Sequence, residues 1–156
     1  MSSPKTIHIY TDGASKGNPG PGGFGIVMFQ EGTQHYKEFA QGFILTTNNR
    51  MELLAVIVAL EQLKSTTHPV KIFSDSKYVV DAINQRWLEN WIKKDFKKIK
   101  NPDLWKRFSV LYQKYRPEMI WVKGHNDIRH NERCDELAVK AATADSKIED
   151  TGYIPQ

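Results

Sequence analysis

The residues Thr6-Ile-His-Ile-Tyr-Thr-Asp-Gly13 alternate apolar and polar side chains and stop on a carboxylate followed by glycine. Ile7 and Ile9 face one way and His8 and Tyr10 the other, a period of two that predicts a strand with Asp12 at its carboxyl end. Val70-Lys-Ile-Phe-Ser-Asp75 has the same form. Ligands of open α/β sheets gather in the crevice beyond the carboxyl ends of the strands. Two such strands would bring two aspartates to one edge.

At 156 residues the chain is expected to form one domain over 1–156, with loosely ordered tails at about 1–5 and 145–156. That length buries roughly 70% of the unfolded surface without staples. A single cysteine, Cys134, excludes an intrachain disulfide and suits a reducing, cytoplasmic setting. The longest apolar run, Leu53 to Leu60, is 8 residues, against the ~18 of a membrane span. The start, Met-Ser-Ser-Pro-Lys, has no apolar leader. No membrane association and no protein partner are expected, and the chain is read as a monomer.

The net charge of +4 is unevenly placed. Between Arg86 and Arg107 eight basic residues stand against three acids, so the whole excess lies in that stretch. A localised basic patch fits a polyanionic partner.

Element by element, Phe24 to Gln30 reads as a second strand, and Gln34–Phe39 with Gln41–Leu45 as a third, broken or paired near Gly42. Short connections make the first three strands antiparallel. A buried helix is expected over Asn48–Leu63, a strand over Val70–Ser74, and a helix, with room for an interruption, from Ser76 through the basic arm. Pro102 suits the first position of a further helix reaching Lys114. A last strand over Glu118–Lys123 and a last helix over Asn131–Ala144 complete an α/β fold: a mixed five-stranded sheet with helices on both faces.

Gly20-Pro-Gly22-Gly-Phe-Gly25 matches G-x-G-x-x-G, but the dinucleotide fingerprint needs a strand feeding a helix. Here Ile-Val-Met-Phe follows, so the segment reads as a wide turn. Four acids are more informative: Asp12, Glu52, Asp75 and Asp135. Each has a plain reading as a turn or cap residue, and Glu52 stands three after Asn49 as in a capping box. Together they come from two strand ends and two helix starts near one edge. Clustered carboxylates repel without a cation. All-oxygen ligands suit Mg²⁺ or Mn²⁺, and two such ions form the clamp used for displacement at phosphorus. His125, in a polar loop after the last strand, is suited to proton traffic. His130 reads as a solvated loop residue, and a zinc site of His125, His130 and Cys134 lacks a fourth ligand at finger spacing. In the basic arm Trp87 and Trp91 share a helical face that could line a groove rimmed by Lys93, Lys94, Lys97 and Lys98, while Trp105 reads as core.

On these residues the chain resembles the type 1 ribonuclease H family of the bacterial kind, from about Thr6 to Tyr153. The resemblance is carried by Tyr10-Thr-Asp-Gly-Ala-Ser-Lys-Gly-Asn-Pro-Gly-Pro-Gly-Gly, Thr46-Thr-Asn-Asn-Arg-Met-Glu-Leu, Asp75-Ser-Lys-Tyr-Val, Trp121-Val-Lys-Gly-His and Asn131-Glu-Arg-Cys-Asp-Glu-Leu-Ala. It implies a ribonuclease H-like fold and an endonuclease that cuts the RNA strand of an RNA/DNA hybrid, leaving 5′-phosphate and 3′-hydroxyl ends. Asp12, Glu52, Asp75 and Asp135 match the family's metal carboxylates, for two Mg²⁺ with Mn²⁺ able to substitute, and His125 matches its mobile histidine. Asn18, Asn48 and Asn49 match residues that reach the minor groove, where the 2′-hydroxyl marks RNA. Thr47 matches a DNA-phosphate pocket, and Trp87 to Lys100, with Asn101 beside it, the basic protrusion. Lys77, in a substrate-contacting position, replaces a frequent glutamine, Asp127 replaces a usual glycine, and one extra residue lies near Arg86. Two rivals fit the same elements: a two-metal DNA nuclease of this fold, and a non-catalytic hybrid-binding module.

Overall fold

The computed structural model describes residues 5–122 and 129–155. Among them are six strands, β1 (Ile7–Ser15), β2 (Gly20–Gln30), β3 (Tyr36–Thr46), β4 (Val70–Ser74), β5 (Glu118–Trp121) and β6 (Lys147–Ile148). Five helices accompany them: α1 (Asn48–Glu61), α2 (Lys77–Asn84), α3 (Trp87–Lys93), α4 (Pro102–Tyr115) and α5 (Arg129–Thr143). The sheet runs β5-β4-β1-β2-β3-β6. β1, β2 and β3 pair antiparallel, whereas β4 pairs parallel with both β1 and β5. This is the expected mixed sheet, with α1 and α5 packed against it.

Alternation along β1 sets the two faces. Ile9 is fully buried in the main core with Ile26, Ile72 and the α1 side chains Met51, Leu53, Val56, Ile57 and Leu60, while His8 and Tyr10 are half-buried on the other face. Burying each large aliphatic side chain contributes about 1.5–3 kcal/mol. α1 is apolar nearly all round, as a helix must be when it is covered on most of its surface. Trp105, expected in the core, is fully buried beside Phe108.

The observed elements differ from the expected ones at several points. The sheet has six strands, because Lys147–Ile148 pairs parallel with Gly42–Phe43; two residues are too few to show a period. That pairing ties residues 147 and 148, within the tail expected to be loose, to the edge of the sheet. The glycine segment is mostly strand, since β2 begins at Gly20, four residues earlier than expected. Gly25 is needed there because a Cβ would lie 2.3 Å from the Cys134 carbonyl oxygen; the glycine lets α5 rest on the sheet. Finally, β3 is continuous through Gly42, and its irregular register against β2 falls between Gly20 and Gly22.

Candidate active site

Parallel pairing of β1 with β4 ends at Tyr10 and Phe73. Asp12 and Asp75 each stand two residues further along, so the register that aligns the strands also aligns the carboxylates. Asp12 is not at the end of its strand, because β1 continues to Ser15 on β2 alone. It lies where β1 loses its β4 neighbour, and that gap opens the crevice.

The third acid comes from α1. Thr47 caps this helix, its hydroxyl oxygen accepting the Arg50 amide at 3.3 Å. The capping-box reading of Glu52 is therefore overturned: Glu52 lies past the first turn, and its Oε1 accepts the Gly13 amide at 3.2 Å. The same amide donates to Asp12 Oδ1 at 2.9 Å. One oxygen from each of Asp12, Glu52 and Asp75 lies within 4.8 Å of the others.

Burial, followed by the charges of Asp75 and Asp135, pushes the Asp12 carboxyl up to about 7. Glu52 is raised well above the usual carboxylate range by burial and by the Asp12 and Asp75 charges. Among the described residues the cluster is thus short of positive charge. Glu52 Oε2 is buried with no hydrogen-bond partner among the described residues, a state that costs about 1–3 kcal/mol unless something binds it. An orphaned carboxylate oxygen in an all-oxygen cluster fits a hard divalent cation. Asp135, half-buried on α5, lies outside the close set but adjoins it through Asp12, whose proton affinity it raises.

His125 lies outside the described residues, as does Asp127. His130 is not a solvated loop residue. It sits on α5 with its ring 4.7 Å from Phe29 and 5.2 Å from Tyr10, and burial holds it below the usual imidazole range. Cys134 donates its thiol to the Tyr10 carbonyl at 3.1 Å, and burial pushes that thiol far up.

The asparagines gather beside the cluster. Asn18 Oδ1 accepts the Asn48 amide at 3.1 Å, and Ser15, which carries no signal of its own in the sequence, donates to Asn48 Oδ1 at 3.1 Å. Asn49 is exposed on the first turn of α1. Lys77 holds its ammonium 4.4 Å from the Trp121 ring, and the Trp121 indole donates to the Asp75 carbonyl at 3.3 Å.

The basic arm is a short helix and an irregular turn. Asp95, Phe96 and Lys98 all have left-handed backbones, which ends α3 and throws Lys93, Lys94, Lys97 and Lys98 into solvent. Trp87 is 42% exposed. Trp91 packs 4.8 Å from Trp105 and is half-buried, so Trp87 offers the more open ring. Asn101, left-handed before Pro102, donates to the Tyr78 hydroxyl at 3.0 Å and accepts from Arg50 at 3.2 Å. Arg50 is 1% exposed; it pairs with Asp103 and also with Asp150, 100 residues away. No local signal at Asp150 marks that contact.

A sheet whose strand ends converge with a helix on a carboxylate cluster has the geometry of a divalent-metal site. The RNase H family model matches residues 4–143. A Ribonuclease H of Idiomarina loihiensis is 46% identical over 157 residues, covering 98% of both chains. A Ribonuclease HI of Shewanella oneidensis is 51% identical over 160 residues, again covering 98% of both. Among solved structures, LC9-RNase H1, a type 1 RNase H, has a TM-score of 0.79 at 30% identity over 91% of this chain and 74% of its own. LC11-RNase H1, solved in complex with an RNA/DNA hybrid, has a TM-score of 0.62 at 30% identity over 87% and 96%. The chain belongs to the RNase H family, and it is a nuclease.

Proposed function

We propose that this nuclease hydrolyses the RNA strand of RNA/DNA hybrids internally, leaving 5′-phosphate and 3′-hydroxyl ends. Two Mg²⁺ ions, for which Mn²⁺ can substitute, would be held by Asp12, Glu52, Asp75 and Asp135. The observation that carries this reading is the convergence of three carboxylates within 4.8 Å around a buried Glu52 oxygen that has no hydrogen-bond partner among the described residues. When bound, the ions supply Lewis-acid stabilisation of the charge that develops at the phosphate and the leaving oxygen.

The chain's own residues supply position and recognition. The Gly13 amide holds Asp12 and Glu52 in a fixed relation, so the acids need not reorganise to act. Asn18, Asn48 and Asn49 offer amide groups to base edges and 2′-hydroxyls of the minor groove. Thr47 and Asn101, with the lysines of the arm, take phosphates of the DNA strand, and Trp87 packs on its sugars or bases. Lys77 adds a cation beside Asp75. His125 moves a proton at the leaving group or helps release product. The hybrid bound to LC11-RNase H1 supports the choice of substrate.

The 156 residues are read as one domain working as a cytoplasmic monomer; the continuous sheet and the lone unpaired cysteine support this. Among the described residues no helix is long and apolar enough to cross a membrane. The test is a hybrid labelled on its RNA strand, compared with duplex RNA, single-stranded RNA and duplex DNA, each with Mg²⁺ and with chelator. Cutting of the hybrid alone, and only with Mg²⁺, is expected. Cutting of duplex DNA, or binding without cutting, would replace this reading with one of its two rivals.

A further inference from the structure

Arg50 occupies the third position of α1, where the positive end of the helix dipole disfavours a cation, and it is buried. A buried guanidinium persists only when fully paired. Asp103, at the start of α4, accepts from Nη1 at 2.9 Å and from Nη2 at 2.7 Å. Asp150, in the tail beyond β6, accepts from Nε at 2.7 Å and from Nη2 at 3.0 Å. The second carboxylate does more, because its Oδ2 also accepts the Thr46 hydroxyl at 2.7 Å. Asn101 Oδ1 takes a further bond from Nη1. One side chain therefore ties together the end of β3, the start of α1, the start of α4 and the tail.

Those are the segments that carry Thr47, Asn48 and Asn101. Thr47 lies between Thr46, bonded to Asp150, and Asn48, bonded to Asn18 and Ser15. We propose that Asp150 is a positioning residue for hybrid binding: through Arg50 and Thr46 the tail fixes the distance between the α1 start and Asn101, and so the spacing of the contacts each makes with the nucleic acid. The inference rests on the hybrid reading above. Asp150 touches no substrate itself, and the acid cluster does not depend on it.

Charge and position predict opposite signs for one substitution. Asp150→Asn removes a negative charge beside a surface that binds a polyanion, so Coulomb attraction alone would tighten binding. Loss of the fixed spacing weakens it. The experiment measures KM and kcat for a hybrid in Mg²⁺, and hybrid Kd in chelator, for the full-length wild type, Asp150→Asn and Thr46→Val. Ile57→Val, a core trim further along α1, serves as a destabilised control, and Mn²⁺ affinity is titrated without substrate. About a tenfold rise in KM and Kd is expected for Asp150→Asn, the scale on which removal of one charge-assisted hydrogen bond acts. Thr46→Val should give a smaller rise, and kcat and Mn²⁺ affinity should stay within twofold in both variants. Unchanged or tighter binding by Asp150→Asn, or an equal rise in Ile57→Val, overturns the inference while leaving the hybrid reading intact. A wild type that neither binds nor cuts the hybrid overturns both.

Discussion

Gly13 donates its backbone amide to Glu52 Oε1 at 3.2 Å while donating to Asp12 Oδ1 at 2.9 Å, so one peptide group sets the relation between a strand acid and a helix acid. The contact exists because α1 approaches β1 more closely than any side chain at position 13 would allow. A Cβ there would lie 2.4 Å from the Glu52 nitrogen and 2.5 Å from the Met51 carbonyl carbon. Both are backbone atoms and cannot swing aside. The site is built on a missing methyl group.

Gly13→Ala should therefore damage the site before it damages the rest of the fold. The strand and α1 must separate, which withdraws Glu52 from Asp12. Mn²⁺ binding measured by titration calorimetry should weaken by at least tenfold, equivalent to about 1.4 kcal/mol, and hybrid cleavage should fall with it. Metal affinity equal to that of the wild type would show that the helix approach is not what assembles the cluster.

Asp12→Asn should lower kcat by roughly 10³-fold or more, the scale on which loss of one preorganised electrostatic group acts, with hybrid Kd in chelator unchanged or lower. It should also change the pH dependence of stability. A carboxyl raised from 3.8 to about 7 in the folded protein binds a proton more tightly when folded than when unfolded. It then costs nothing below pH 4, and the cost grows as pH rises through the interval to pH 7. Urea unfolding in chelator at pH 5 and pH 8 should show the wild type losing on the order of a few kcal/mol more than the variant across that range. Saturating Mg²⁺ should cancel the loss. Parallel profiles for the two proteins would remove Asp12 from the buried cluster.

Much of this was legible in the sequence because it was periodic or local. Alternation gave β1 and β4, and the Asp that follows each; Pro102 marked the start of α4; Trp105 belonged to the core. The site acids were harder, since Glu52 sits at a spacing that a capping box also explains, and only the Thr47 cap decides between the two. Asp150 and Lys147–Ile148 could not be read at all. Their partners, Arg50 and Gly42–Phe43, are about a hundred residues away, and neither a single carboxylate nor a two-residue strand has a period. The glycines of β2 carry turn chemistry in the sequence, whereas Gly23 and Gly25 serve to admit α5 from the far end of the chain. His125 was legible only as part of a motif and lies outside the described residues.

The arm lysines are exposed and make no ion pair with any described residue among the salt bridges of the fold, so their charge is available to phosphates. Replacing Lys93, Lys94, Lys97 and Lys98 with Ala should raise KM for the hybrid and flatten its dependence on salt, by about one in the log–log slope for each phosphate that a lysine no longer neutralises. Stability should move little, as for other exposed charges. A salt slope equal to the wild type's would make the arm only a solvated face.

Trp121 and Lys77 should affect the metal site with opposite signs. The ammonium stands 4.4 Å from the ring and belongs to the residue two after Asp75, so it opposes entry of a second cation while attracting phosphate. Lys77→Gln removes that charge. Mn²⁺ affinity should then rise slightly, and hybrid KM at low salt should rise about two- to fourfold, consistent with removal of one exposed charge interaction of roughly 0.5–1 kcal/mol. The KM effect should fade at high salt through screening. Trp121→Phe keeps an aromatic platform for Lys77 but loses the indole bond to the Asp75 carbonyl. The backbone that presents Asp75 is then less constrained, and Mn²⁺ affinity should fall severalfold with little change in the salt dependence of KM. Titration calorimetry on both variants decides the matter: shifts of the same sign would mean that the indole bond does not hold Asp75, and that the tryptophan acts only through the lysine above it.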